Sequence, residues 1–289
     1  MSERRIKIMD YKFRKRILNI SLYTVLVILS ILWTFPIYWM FITSLKPEYE
    51  TIAWPIKWIP IPPTWENYQK ILGNPVDTPV FIWFKNSFIA AFFYSILGLI
   101  VSTLSAYAFS RMKFPGRDQY FWFLISFMTI PGIIYLIPNY LTINNLGWVD
   151  DLKAIIFPGL ASVWGIFMLR QYFLTIPYEL DESARIDGAS RLYILWKIII
   201  PLSKPALLTL GFMNFLSNWN DYLWALICLS SPQKRTLPVG MLTLQGRYIH
   251  FYGTMMAGAF LTALPALLLF IFLQRYYIRG VVMSGFGGR

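Results

Sequence analysis

The sequence predicts an all-α membrane protein with six transmembrane helices, and three observations predict it. Hydrophobic residues make up 57% of the chain and charged residues only 14%, against about 25% charged in a soluble domain. Six stretches almost free of charge approach the roughly 20 residues that a helix needs to cross a bilayer. Lysine and arginine are distributed unevenly over the intervening loops. Mean hydropathy is +0.52. These values exclude a disordered chain and an ordinary soluble enzyme. One cysteine, Cys228, excludes an internal disulfide framework, and one histidine, His250, excludes the two-histidine metal motifs.

The spans follow in order. Residues 17–45 form the first and 86–110 the second. Residues 119–149 form the third, interrupted by Pro131, Gly132 and Pro138. Residues 154–169 are the weakest, being only 16 long and containing Pro158. Residues 205–233 carry one acid, Asp221, and 251–274 contain Pro265. Prolines are tolerated in membrane helices where neighbours satisfy the freed carbonyls. The segment after the first span holds Pro47, Pro55, Pro60, Pro62 and Pro63. Proline fixes φ and removes a donor, so an extended segment is expected there.

Six spans place both termini on one side. Residues 1–16, 111–118, 170–204 and 275–289 carry 18 of the 26 basic residues, and three opposite loops of similar total length share eight. Basic loops stay in the cytoplasm, so both termini are expected there, in the cell membrane. The net charge of +12 is then a topology signal and requires no nucleic acid. The expected organisation is a cytoplasmic segment 1–16, a six-helix membrane domain 17–275 and a cytoplasmic tail 276–289. A cleaved signal peptide is the alternative for the start. Its apolar run would be about 7–15 residues with a small-residue cleavage site, whereas this run has 29 residues and no clear site.

The loop 170–204 is the longest on the cytoplasmic side and holds four of the 14 acids, Glu179, Asp181, Glu182 and Asp187. Pro177 suits a first helical turn, and three of the acids lie near that positive helix end. A short helix is expected to about Ile186. Gly188 suits the positive φ that ends a helix. Ser190 suits the cap of a second helix running to about Ile200, and Pro201 suits the bend into the fifth span. Ser183, Ala184 and Ala189 would give this helix–turn–helix a small-residue surface for close docking. A solvated helix pair with no partner is the plain alternative. A DNA-binding helix–turn–helix has a similar outline, but this pair is tethered to spans at both ends.

Glu182-Ser183-Ala184, Gly188, Ile198, Ile200 and Pro201 stand at the spacing of the EAA loop of binding-protein-dependent ABC transporter permeases, and the segment resembles that loop. Ser183 for alanine and Ile200 for leucine are mild departures. Trp219-Asn220-Asp221, the run from Arg235 to Gly240, Gln274-Arg275-Tyr276-Tyr277, Pro115-Gly116-Arg117 and Asn86-Ser87 resemble the carbohydrate-uptake branch, near maltose-type importers. The resemblance covers nearly the whole chain.

It implies a type I ABC importer permease fold and a transport subunit that is not itself an enzyme. A second permease, two ATPase subunits and an extracytoplasmic sugar-binding protein would be its partners, with a sugar as solute and lipid around it. ATP and magnesium would bind the ATPase, and the chain itself would hold no cofactor or metal. The chain lacks Gly-x-x-x-x-Gly-Lys-[Ser/Thr], the usual phosphate loop. The implied ATPase-coupling residues are Glu182, Ser183, Ala184, Asp187, Gly188 and Pro201. Glu182 would meet a basic group in an ATPase cleft. The loop at 234–252 would face the binding protein, and the tail after Arg279 would reach toward the ATPase pair.

Asn214, Ser217, Asn218 and Asp221 fall at i, i+3, i+4 and i+7 and share one helix face. Ionisable residues in spans often mark a solute path, and Trp164 and Trp219 offer aromatic faces for a sugar. The alternative is a stripe that joins the partner permease through interhelical hydrogen bonds. The same permease type for glycerol phosphate is another alternative, although an anionic solute should bring Lys or Arg into the spans and none lies there. An integral membrane enzyme would need a cluster of His, Asp or Cys. Cys228 reads as a small apolar filler and His250 as an interface residue.

Overall fold

The computed structural model describes residues 2–73, 78–247 and 251–285, with side chains described for 14–73, 78–243, 251–272 and 274. In chain order the helices are α1 (Ser2–Ser44), α2 (Glu48–Thr51), α3 (Glu66–Leu72), α4 (Val80–Arg111), α5 (Arg117–Ser126), α6 (Leu136–Asn145), α7 (Lys153–Ile156), α8 (Val163–Leu174), α9 (Glu179–Ile186), α10 (Arg191–Ile194), α11 (Ile200–Leu202), α12 (Lys204–Trp219), α13 (Leu223–Cys228), α14 (Leu237–Arg247) and α15 (Tyr252–Gly285). No strand occurs among the described residues.

Three of the six expected spans are single helices. Arg14–Ser44 of α1, all of α4 and Tyr252–Phe272 of α15 are each long and apolar enough to cross a membrane. The third span is bent by 93° between Thr129 and Gly132, where the sequence places Pro131. The fourth departs from expectation. Helix α7 stops at Ile156 and α8 starts only at Val163, because Pro158 and Gly159 intervene. The 12 residues of α8 reach only about 18 Å, against a hydrocarbon core of about 30 Å. The fifth also departs, since α12 stops at Trp219 and the chain breaks at Asn220 and Asp221 before α13. By length and composition three helices qualify, or five with the two bent pairs. Helix α8, in the fourth expected span, is not among them.

The chain divides into two compact units, 1–73 with 248–261 and 74–247 with 262–289. In the first, every described side chain from Arg14 to Pro36 is exposed. The helix end is buried instead, from Thr43 to Lys46. Asn67 on α3 clasps that end. Its Nδ2 donates to the Ser44 and Lys46 carbonyls, each at 2.9 Å, and its Oδ1 accepts from Thr254 at 3.2 Å. Lys46 lies with Nζ 4.4 Å from the Trp39 ring centroid. Burial pushes its pKa down, against the opposing pull of Glu50. The proline-rich segment is mostly irregular as expected, but the short α2 interrupts it directly after Pro47, where proline precedes a first turn at no cost in hydrogen bonds.

In the second unit α4 is the central element and packs most extensively on α12 and α8. Its buried face is built from small residues, among them Ala90, Ala91, Ser95, Gly98, Ser102 and Ala106, and small residues let backbones approach closely. Ser95 donates to the Gly211 carbonyl of α12 at 2.5 Å. One core gathers Tyr107, Phe173, Ile194, Ile199 and Leu210 toward the Arg111 end of α4. A second gathers Ala90, Ile155, Cys228, Leu229 and Val239, with Cys228 fully buried as a small filler. The two stretches 86–87 and 235–240 are latched together. Asn86 donates to the carbonyls of Gln233 and Arg235 at 2.9 and 3.0 Å, Ser87 Oγ accepts from Leu237 N at 2.8 Å, and Trp83 Nε1 donates to Pro232 at 2.7 Å.

Candidate coupling surface and solute pocket

The expected helix–turn–helix is present in 170–204. Helix α9 ends at Ile186 with Asp187 at its C-cap. Gly188 has φ +81°, its N–H reaches the Arg185 carbonyl at 3.0 Å, and Ala189 N reaches the Ala184 carbonyl at 2.9 Å. This pair of bonds is the Schellman ending that a left-handed residue permits. Ser190 then caps the next helix, its Oγ accepting from Tyr193 N at 3.2 Å. That helix continues through a π-helical stretch, Leu195–Ile199, to Leu202.

Two expected details shift. Helix α9 starts at Glu179, so Pro177 stands just outside the first turn. The bend of 83° into α12 lies between Leu202 and Lys204, so Ser203 is the hinge and Pro201 sits in the last turn before it. Pro205 in the first turn of α12 suits a helix start.

The faces of α9 are sorted by chemistry. Residues advance by about 100° around a helix, so Glu179, Glu182 and Ile186 share one side. All three are exposed, Ile186 to 87%. Glu182 and Asp187 make no side-chain hydrogen bond or ion pair among the described residues. Ser183 is exposed and donates to the Leu180 carbonyl at 3.1 Å. Ala184 and Ala189 depart from the expected docking surface, because both are packed against the core around Phe173. Their small size lets α9 approach the spans.

The residue missed from sequence is Asp181, fully buried on the inward side with Ala184. Its Oδ1 lies 3.5 Å from Arg111 Nη1. Arg111 is also buried, at the last turn of α4, and its Nη2 donates to the carbonyls of Phe173 and Ile176 at 2.5 and 2.7 Å. Its guanidinium stands 5.8 Å from the Tyr178 ring centroid. Burial pushes the Asp181 carboxyl up, more strongly than Arg111 and Arg185 pull it down. The signal was available, since Asp181 shares the Ala184 face (i, i+3) and not that of Glu179 and Glu182. A second tie holds the next helix, where Tyr107 Oη donates to the Arg191 carbonyl at 3.0 Å.

The expected solute stripe is divided. A pocket of about 290 Å³ opens among Tyr94, Asn139, Ser217, Asn218, Asp221 and Trp224, with no Lys or Arg among its described lining. Asn218 Nδ2 is committed to the Ile155 carbonyl at 2.7 Å, while its Oδ1 is buried without a hydrogen-bond partner. Asp221 lies past the end of α12, so the i+7 relation does not continue as a helix. Its Oδ1 accepts from Trp224 N at 3.3 Å at the start of α13. Asn214 is buried against Gly98 of α4 and does not line the pocket. Trp164 is part-exposed and lies outside the lining. Trp219 is buried and stacked on Phe215, with Nε1 bonded to the Thr262 carbonyl. Tyr94 and Trp224 are the aromatic residues of the described lining, and Trp224 is anchored by Nε1 to the Ala154 carbonyl at 2.9 Å. His250 and the tail from 286 lie outside the described residues, as does part of the 234–252 loop.

Residues 95–282 match the family model for the binding-protein-dependent transport system inner membrane component. The chain is 33% identical over 277 residues to the sn-glycerol-3-phosphate transport system permease protein UgpE of Yersinia pestis bv. Antiqua (strain Antiqua), covering 93% of this chain and 98% of that one. It is 31% identical over 273 residues to the arabinooligosaccharides transport system permease protein AraQ of Bacillus subtilis (strain 168), covering 93% and 96%. Its fold matches a chain in the crystal structure of a bacterial ABC transporter involved in the import of the acidic polysaccharide alginate. That match has a TM-score of 0.75 and 26% identity over 91% of this chain and 98% of that chain. The matched region takes in the helix–Gly188–helix, all of the described pocket lining but Tyr94, and most of α15, and the chain belongs to the family of binding-protein-dependent transport system inner membrane components.

Proposed function

We propose that this permease subunit imports a neutral sugar or oligosaccharide, with both termini in the cytoplasm and ATP hydrolysis supplied by separate ATPase subunits. The observation that carries the coupling role is the exposed side of α9, where Glu182 and Asp187 stand without side-chain partners beside a bare Ile186. A carboxylate next to an exposed apolar side chain suits a cleft with one basic group and an apolar wall. Ser183 allows close approach, Gly188 turns the chain away, and Pro201 sits in the last turn before the Ser203 hinge. The relatives support a saccharide, since one is named for arabinooligosaccharides and another transporter for alginate, and the neutral charge rests on the pocket alone.

The pocket supports a neutral solute. Asn218, Ser217 and Tyr94 offer hydrogen-bonding groups, Trp224 an aromatic edge and Asp221 an acceptor. A phosphate ester, as in the name of the glycerol-3-phosphate relative, would meet the Asp221 carboxylate with no Lys or Arg among the described lining. Asn214 belongs to the packing of α12 on α4, and Trp164 lies outside the pocket lining. A second permease would complete the path, and an extracytoplasmic binding protein would deliver the solute.

Affinity purification of the tagged chain from native membranes in mild detergent tests the assembly. An ATPase, a second permease and a sugar-binding protein are expected to co-elute, while recovery of the chain alone, under conditions that preserve known complexes, would overturn it. Glu182→Ala is expected to lower solute uptake at least about tenfold, the loss of roughly 1.4 kcal/mol of coupling, with the chain still inserted. Unchanged uptake would remove Glu182 from the coupling role.

A further inference from the structure

The exposed side of α9 is where a partner would push, and the buried side determines what that push moves. Helix α9 is joined to α8 by the short segment 175–178 and to the following helix through Gly188. Beside these backbone connections, a buried side chain links α9 to α8 and α4, the Arg111 guanidinium. Its planar fork reaches three places at once, the Phe173 and Ile176 carbonyls at the end of α8 and the Asp181 carboxylate on α9. A lysine offers a point charge and cannot span such a set.

The joint is unequal. The two carbonyl bonds, at 2.5 and 2.7 Å, are short and charge-assisted. The Asp181 contact, at 3.5 Å, lies beyond ordinary hydrogen-bond length. Both carboxylate oxygens and Arg111 Nε are buried without a hydrogen bond. Arg111 is therefore seated on α8, whereas α9 is held to it by charge across the longer, buried Asp181 contact. Opening would leave a buried carboxylate unpaired, which favours re-forming the contact or moving α4 together with α9.

We propose that Asp181 and Arg111 are positioning residues that join the coupling helix to the inner end of α4, so that displacement of α9 is delivered to α4 and α8. This rests on α9 being the ATPase-coupling helix. Glu182 would receive the force, and the Asp181–Arg111 contact would pass it on.

The test uses the whole co-purified transporter in proteoliposomes, with uptake and ATP hydrolysis measured with and without the loaded binding protein. Asp181→Asn is nearly isosteric and leaves Arg111 on its two carbonyls. The ATPase subunits are expected to stay bound, because the Glu182 side is intact. Uptake should fall about five- to thirtyfold with the half-saturating solute concentration within about twofold, and hydrolysis should lose its response to the binding protein. Arg111→Gln also removes the bonds to the Phe173 and Ile176 carbonyls, so it should lose at least as much, and the double variant should be no worse than Arg111→Gln, because the Asp181 contact is already absent there.

Uptake within about twofold of wild type in Asp181→Asn would overturn the inference, as would strictly additive losses. Loss of the ATPase subunits from the Asp181→Asn complex would make the pair a structural prop and overturn it too. A Glu182→Ala control separates the two readings. If Glu182→Ala uncouples and Asp181→Asn does not, only the positioning role fails. If Glu182→Ala leaves uptake normal, the coupling helix itself is misassigned and the inference falls with it.

Discussion

Neighbouring acids in this chain have opposite fates, and side-chain environment decides which. Glu182 is solvated and Asp181, one residue earlier, is fully buried against Arg111. Asp150 is a third case. It takes φ +63°, a conformation that Asp and Asn tolerate better than other side chains. Its carboxylate accepts from the backbone of Ser230 and Ser231 at 3.0 and 2.9 Å and from the Ser231 hydroxyl. Burial works to raise its pKa, but these hydrogen bonds outweigh it and hold the carboxyl below its usual 3.8. The native state then binds fewer protons than the unfolded state, so this tie stabilises above the unfolded value and is lost as pH falls through the folded one. Asp150→Asn keeps a tolerated backbone and removes the charge. It is expected to be about 1 kcal/mol less stable at neutral pH and to lack the acid-induced loss expected of the wild type below pH 3.8. Thermal unfolding in detergent from pH 7 to 3 measures both.

At the scale of elements, the turn at Gly188 is specified by backbone conformation and not by crowding. A Cβ there would meet nothing within 4 Å, yet φ is +81°. A branched side chain in the left-handed region costs roughly 1–2 kcal/mol or more, and asparagine costs less. Gly188→Val should therefore reduce uptake sharply and Gly188→Asn only mildly, with equal amounts of chain in the membrane. Uptake assays alongside immunoblots of the membrane fraction compare them, and equal uptake by the two variants would show that the turn's conformation is not limiting. This turn was legible in the sequence because its cap residues, glycine and spacing are all local. The broken fifth span was not. Asn214, Ser217, Asn218 and Asp221 have helical spacing, but α12 ends at Trp219, which moves Asp221 from a helix face to the start of α13. Helix α8 was uncertain for a related reason, since Pro158 and Gly159 shorten it and the surrounding packing holds it.

At the scale of the whole chain, charge distribution carries the topology. The exposed Lys113 lies in a loop assigned to the cytoplasm and the exposed Lys234 in one assigned to the outside. In a Cys228→Ala background, a membrane-impermeant maleimide should label Lys234→Cys in intact cells and Lys113→Cys only after lysis. The reverse pattern would invert the orientation. The long exposed apolar stretch of α1 from residue 17 to 36 is far larger than the isolated apolar patches of soluble monomers, and lipid or a second membrane subunit is what such a surface is built to meet. By itself the sequence determined the helical class, the basic loops and the α9–Gly188–helix turn, since hydropathy, charge bias and capping act over a few residues to one span. Only the tertiary structure decided that Asp181 faces Arg111, that Ala184 and Ala189 pack inward, and that Ser217, Asn218 and Asp221 meet Tyr94 and Trp224 while Asn214 and Trp164 do not. Those pairings join residues far apart in the chain, and they depend on how closely the small-residue face of α4 lets α8 and α12 approach.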